Sequence, residues 1–475
     1  MPRIMTNDKS KDGEEMRKIG VVLLLGFVVI VGSWWIMRSD SPAQPEEGVL
    51  DVWATWGDHA DWLQSLYDRF SQSSGVPVRV TTRVRSEDLL EALADLESPD
   101  LVILSSADLI EAYNQQGLVE SLDGWIQASG IDLNDIYPAP LAQCQGLDGA
   151  TLCLPWSCDV DALFWNKDLF AAAGLDPERP PRTMEELVEY ASRLTIRDET
   201  GELGQVGFIP DFPRSHADLY VRMFGGAFHS EGGAELTVNS QPVIDGMNWQ
   251  RQFYDIYAPE DLTDFVSSFT PYMTSRHPLY AGRRLSCQQC HRSSPIQNGK
   301  TPDAGFVEGK IAMMIDGEWQ VSPNGLSHEE FQVNYGVAPF PPPAAHPERV
   351  NTAVVRGPVL IVPAGAMDKE AAVHLLAWMM SPEIVAEEFC FNANLPTSKT
   401  AANDPCFTEN PKFKVFTDLM ASPNATIIVT TPISLEFNDA YGVVLEKAVH
   451  NGEDPKPLLD ELQAEFEPKL QEALK

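Results

Sequence analysis

Hydrophobic and polar positions change period repeatedly along the chain. Residues 49–55 (VLDVWAT) form a short apolar run that reads as a strand. Residues 59–72 then place Trp62, Leu63, Leu66, Tyr67 and Phe70 on one face of a helix. Residues 78–82, just after Pro77, give the next strand, 87–96 the next helix, and 100–104 (DLVIL) a strand apolar on both faces. Strands alternating with helices predict an α/β lobe whose mixed sheet is covered on both faces.

Residues 154–169 (LPWSCDVDALFWNKDL) compress aromatic rings, carboxylates and a helix entry into one segment, read as a crossing between two lobes. Within it Trp165 is expected to pack in the core with Phe164, whereas Trp156 is divided between ligand stacking and hinge packing. Thr183, followed three residues later by Glu186, is a capping box opening a helix that runs to about 194. Residues 205–209 read as a strand, 217–223 as a helix and 244–257 as an amphipathic helix. Gly225 and Gly226 mark a tight break that either permits a turn or lets a ligand approach the backbone. Periodicity fails between 258 and 303 and returns at 306–315, ending in Asp316-Gly317-Glu318-Trp319. Strands at 334–340 and 359–362, helices at 369–380 and 382–390, and a charged helix at 456–474 complete the pattern.

One stretch fits no lobe. Residues 20–37 are an uncharged apolar run preceded by Arg17-Lys18, closed by Arg38, and bearing Trp34 and Trp35 at the far end. This is a membrane anchor or a signal peptide. The anchor is favoured, because the cleavage site after Ala43 lies beyond Arg38. It leaves residues 1–19 in the cytoplasm and 38–48 as a tether, with the rest outside the cytoplasm. The first cysteine is Cys144, so lipidation near the segment is excluded. With 475 residues there is length for two or three domains, and a net charge of −35 opposes nucleic acid as a partner.

Seven cysteines suit an oxidising compartment. Cys144 and Cys153 flank Asp148-Gly149 symmetrically, so a turn there sets them opposite each other for a disulfide. Cys390 and Cys406 are the next pair, leaving Cys158, which has no assigned role, with Cys287 and Cys290. Cys287-x-x-Cys290-His291 is the attachment pattern of c-type haem, and with His277 it also offers zinc ligands. Either would make the chain a redox or metal-sensing binding protein. The polar flanks favour a disulfide-closed or unliganded loop within an irregular insert at about 260–303, and no cofactor is expected.

The ordered blocks VWATWGD, LPWSCDVDALFWNKDLF, FVEGKIAMMIDGEW, and NYGVAPFP with LIVPAGAMDKEAAVHLLAWMMSPE resemble the extracellular solute-binding proteins of ABC importers, in the family that includes maltose-binding protein. The resemblance covers almost everything from Val49 to the C-terminus. It implies a two-lobed periplasmic-binding-protein-like fold of type II around a central cleft, with an N-terminal transmembrane helix added. The lobes are expected to be discontinuous: 49–157 plus 334–361 as lobe 1, and 158–333 plus 362–475 as lobe 2. The implied function is capture of a small solute, a sugar or oligosaccharide, by a monomer that hands it to the permease. By the same resemblance Asp159 accepts from sugar hydroxyls and Trp319 stacks on the sugar face. Trp56, Gly57 and Asp58 form a contacting loop, as do Ser105 and Ser106. A flat ring and a carboxylate are what a sugar requires, since its faces are C–H and its rim hydroxyl.

Enzymatic readings fare worse. A glycosidase needs two carboxylates about 5 to 9 Å apart across a cleft. Asp58 and Asp159 are of the right type, but no G-x-S-x-G elbow exists for a hydrolase. The expectation is binding without turnover.

Overall fold

The computed structural model describes residues 48–55, 60–94, 98–212, 214–269, 304–322, 325–327 and 331–475. The apolar run at 20–37, Trp56, Gly57 and Asp58, His277 and the Cys287-to-His291 motif lie outside them. Among the described residues no helix is long and apolar enough to cross a membrane.

Two sheets organise residues 48–475. The first has the order β2 (Val78–Thr81), β1 (Leu50–Ala54), β3 (Leu101–Leu104), β11 (Val359–Ile361), β4 (Leu154–Pro155). Strand β1 runs parallel to β2 and β3, and β11 runs antiparallel to β3 and β4. Alternation along β1 feeds two cores. Leu50, Val52 and Ala54 pack with Leu63, Tyr67 and Phe70 of the helix Ala60–Ser74, while Trp53 packs with Leu89, Leu93 and Ile110 on the other face. The sheet is mixed and covered on both faces, as its pattern required.

The second sheet is built on β5 (Ser157–Asn166), every residue of which is buried. Along its length β5 meets β12 (Leu395–Pro396), β10 (Ala353–Arg356), β8 (Ile311–Gly317) and β9 (Tyr335–Ala338). The sheet continues through β7 (Leu203–Phe208) to β6 (Ile196–Arg197) on one side, and to β13 (Ala425–Ile427) on the other. Period-two alternation divides the strand. Cys158, Val160, Ala162 and Phe164 join the core containing Leu50 and Val52, whereas Leu163 and Trp165 join the core of the second sheet. Trp165 and Phe164 are both core residues, therefore, but on opposite faces rather than together.

The chain passes directly between the sheets at two adjacent points, and a residue just after β12 is bonded to the first of them. Trp156 separates β4 from β5, and its N–H donates to the Pro358 carbonyl at 2.9 Å. Gly357 and Pro358 separate β10 from β11. Thr397, just after β12, donates its hydroxyl to the carbonyls of Pro155 (2.7 Å) and Trp156 (3.2 Å).

Membership of the sheets departs from the lobe boundaries read from the sequence. Of residues 334–361 only β11 lies in the first sheet, since β9 pairs with Leu163 to Asn166 and β10 with Asp159 and Val160. Conversely, the helices Lys369–Met379 and Pro382–Asn392 put Ala372, Leu376, Val385 and Phe389 into the core shared with Leu50 and Val52. Long-range pairing decides both cases.

Local expectations fare well where caps define them. Thr183 accepts from the Glu186 N–H at 3.1 Å and opens the helix Met184–Leu194. Glu186 reaches back to the Arg182 N–H at 2.7 Å, one residue earlier than a strict capping box. Cys144 and Cys153 are bonded, as are Cys390 and Cys406. Around the first pair the turn has Gly149 at φ 85° and one bridge, Gln145 to Thr151, in place of a full hairpin. Cys158 is a free, buried thiol, pushed well up by burial and then by Asp159 and Glu318, so it stays protonated.

Candidate ligand-binding site

The alternation of β5 sets Asp159 and Asp161 on the same side at the crossing end of the strand, both 7 % exposed. A buried carboxylate needs partners, and Asp161 has three. Arg214 bonds one of its oxygens, His216 Nδ1 lies 3.2 Å from the other, and Arg356 Nη2 lies 3.4 Å from that same oxygen. Burial alone would raise the Asp161 pKa. Arg214, His216 and Arg356 outweigh it and hold the carboxyl well below the usual range. Arg356 arrives here because β10 places it opposite Asp159 in the antiparallel ladder.

From β8 and the turn after it come Asp316, Glu318 and Trp319. Asp316 lies 3.4 Å from Arg214 and accepts from Gln320 at 2.8 Å. Glu318 is fully buried and accepts from the Val160 N–H at 3.2 Å. Burial, then the nearby charge of Asp159, pushes its carboxyl well up. The Arg214 guanidinium lies over the Trp319 ring, 4.7 Å from its centroid. One strand pair thus gathers Asp159, Asp161, Asp316, Glu318 and Trp319, tied together by Arg214 and Arg356.

The remaining residues expected at the site are distributed differently. Ser105 and Ser106 follow the carboxyl end of β3, and the Ser105 N–H donates to Thr55 Oγ1 at 2.9 Å, at the corresponding end of β1. That is where open α/β sheets bind ligands. Trp156 is 1 % exposed and meets Phe389 edge-on at 5.2 Å, so it packs the crossing and presents no free face. Gly225 has φ 84°, and a side chain there would meet Arg349 at 2.8 Å, while one at Gly226 would meet Pro242 at 2.6 Å. Turn geometry and packing account for both glycines.

A second polar region lies beside the helix Ala217–Met223. Asp218 and Arg222 of that helix line a pocket with Asp108 from the turn after β3, His229, Ser434 and Asn438. Burial raises the Asp218 pKa, Arg356 and Arg222 oppose the rise, and Asp108 adds to it. His229 is 7 % exposed and its Nε2 has no hydrogen-bond partner. Burial, reinforced by Arg222 and opposed by Glu467, lowers its pKa to about 4.

Sequence reasoning missed Asp161, Arg214, His216, Arg356 and Glu318. The Asp159-x-Asp161 spacing inside an apolar strand was a usable sign, because period two puts both acids on one face. Arg356 was another, as a lone charge closing the apolar run AVV. Nothing local announces Arg214 or His216.

A family model described as bacterial extracellular solute-binding protein matches residues 65–415. The maltotriose-binding protein of Pyrococcus abyssi is 22% identical over 317 residues, which cover 66% of this chain and 58% of that protein. The galactooligosaccharide-binding protein of Bacillus subtilis is 20% identical over 436 residues, 89% of this chain and 90% of that one. Among solved structures, CpMnBP1 with mannotriose bound superposes with a TM-score of 0.72 at 24% identity, covering 88% of this chain and 100% of that chain. The two-lobed α/β architecture is shared.

Proposed function

The chain belongs to the bacterial extracellular solute-binding protein family, and on that premise we propose that it captures a neutral carbohydrate, an oligosaccharide, between its two lobes and delivers it to an ABC permease. The family is one of extracytoplasmic binding proteins, not enzymes, so the chemistry required is recognition and release. The observation that carries the carbohydrate reading is the pair of carboxylates on one face of β5, with the Trp319 ring beside them, where the chain crosses between sheets.

In this reading Asp159 accepts from ligand hydroxyls, while Asp161 is committed to Arg214, His216 and Arg356. Trp319, with the Arg214 guanidinium over its ring, covers the C–H face of a sugar ring. Ser105 and Ser106 supply the opposite wall. The lobes pivot about Trp156, Gly357-Pro358 and Thr397. The segment 20–37 holds the protein at the membrane surface, or is removed from a secreted form. Relatives that bind maltotriose, galactooligosaccharides and mannotriose favour this ligand class.

Titration calorimetry against mannotriose, maltotriose and a galactooligosaccharide tests the proposal, with glucose 6-phosphate as the charged control. Binding of a neutral oligosaccharide without product formation is expected, and Asp159→Asn and Trp319→Ala should each abolish it. Wild-type affinity in both variants would displace the site from β5.

A further inference from the structure

We propose that the pocket between Asp108, Asp218, Arg222, His229, Ser434 and Asn438 receives a single hydroxyl or hydroxymethyl arm of the bound solute, and that His229 is the specificity-determining residue that reads it. The inference rests on the carbohydrate reading above and deepens it.

Size decides what enters. The cavity measures about 30 Å³, space for one or two water-sized groups and too little for a sugar ring. Its position decides when it matters. Asp108 follows a strand of the first sheet, whereas Asp218 and Arg222 stand on the helix Ala217–Met223, whose apolar side packs into the core of the second. An arm seated here touches both lobes at once.

His229 is the incomplete member of this set. Its ring is 7 % exposed and packs edge-on against Phe437 at 5.3 Å, and its backbone bridges Leu236. The imidazole is therefore fixed, with Nε2 lacking a partner. Buried polar atoms are almost always satisfied, so an orphan on a ring that lines a polar cavity points to an incoming group as its partner. Its pKa of about 4 keeps the ring neutral at pH 7.

A neutral imidazole presents Nε2 as donor or acceptor according to tautomer, and a hydroxyl answers either. Ions fit less well. A phosphate or carboxylate would face the Asp108 and Asp218 carboxylates, and an ammonium would face Arg222. Signs of charge on both sides leave an uncharged, hydrogen-bonding arm as the occupant.

The test compares wild type, Asp159→Asn, His229→Phe and His229→Gln by calorimetry with mannotriose, maltotriose and a galactooligosaccharide, melting each variant alongside. His229→Phe should weaken the best neutral probe about tenfold or more, the size of one lost buried hydrogen bond, and His229→Gln should stay within about threefold of wild type. Independently of any variant, the His229 Nε2 resonance of protein labelled with ¹⁵N-histidine should shift on saturation with that probe. If wild type binds none of the neutral probes, the carbohydrate reading fails and this inference falls with it. If Asp159→Asn abolishes binding while His229→Phe binds like wild type, or the Nε2 resonance stays in place, the inference alone is overturned.

Discussion

Two buried polar clusters differ in how their charge is paired, although each leaves one buried imidazole Nε2, that of His216 or that of His229, without a hydrogen-bond partner. Around Asp161 the charges close on themselves: one carboxylate is held by Arg214, His216 and Arg356, and Arg214 also engages Asp316 and Trp319. Around His229 the ring, buried to the same extent as Asp161, has an unpaired nitrogen and borders a cavity. A carboxylate already paired with cations gains little from a newcomer and fixes its own geometry. A ring with an open valence beside a cavity gains free energy only when something arrives. The ion network around Asp161 is built as scaffold and, on the proposal above, the His229 pocket as receptor.

The difference should appear first in stability. Asp161→Ala strands two guanidinium groups and a buried histidine without their shared counter-charge, and removing one partner from a buried ion network costs about 3–5 kcal/mol. Urea unfolding should register that loss. A cost below about 1 kcal/mol, typical of an exposed pair, would show that the network is solvated and that the contrast fails.

The contrast also has a pH signature. His229 titrates near its ordinary 6.5 when unfolded and at about 4 when folded, so between those values the unfolded chain binds the extra proton. Stability then rises with pH across the interval and is lost on acidification from about 6.5 to 4, by about 3 kcal/mol for this group. Asp161 has its folded pKa depressed below the ordinary carboxylate value of 3.8, so its contribution is present above that value and fades only as pH falls further. Subtracting the stability profile of His229→Gln from that of wild type, measured from pH 7 to pH 4, isolates the histidine. A flat difference would mean that His229 is hydrated and not a closed receptor.

How far these clusters could be read from the chain follows from where their members lie. The helix at 217–223 and the Thr183 cap are local patterns and were legible as such. Asp159 and Trp319 were singled out through motif order. Asp161 needed only the period of the strand that already carried Asp159. Arg214 and His216 lie more than fifty residues from Asp161 and reach it through a break between strand and helix, where no periodicity points anywhere. Sheet membership was obscured for a related reason. Whether β9 belongs to one sheet or the other is settled by Gly336, whose missing side chain leaves room for the Trp165 ring, and that contact spans most of a domain in sequence.

The smallest expected effect lies where the chain passes from β10 to β11. Gly357 joins β10, which carries Arg356, to β11 of the other sheet, with φ at 145°. A Cβ there would sit 2.7 Å from the Ser157 carbonyl oxygen and 2.8 Å from the Cys158 Cα, both backbone atoms of β5 that cannot yield alone. Gly357→Ala should therefore cost about 1–3 kcal/mol, the range for a strained backbone position. Relief of that strain would displace β10 against β5, moving Arg356 relative to Asp161 while leaving the His229 pocket, which draws no residue from this segment, in place. Calorimetry on the variant should show weakened binding with the ¹⁵N-histidine shift of His229 still produced at saturation. If binding weakens and that shift is lost as well, the two clusters respond as a single unit and the division between scaffold and receptor does not hold.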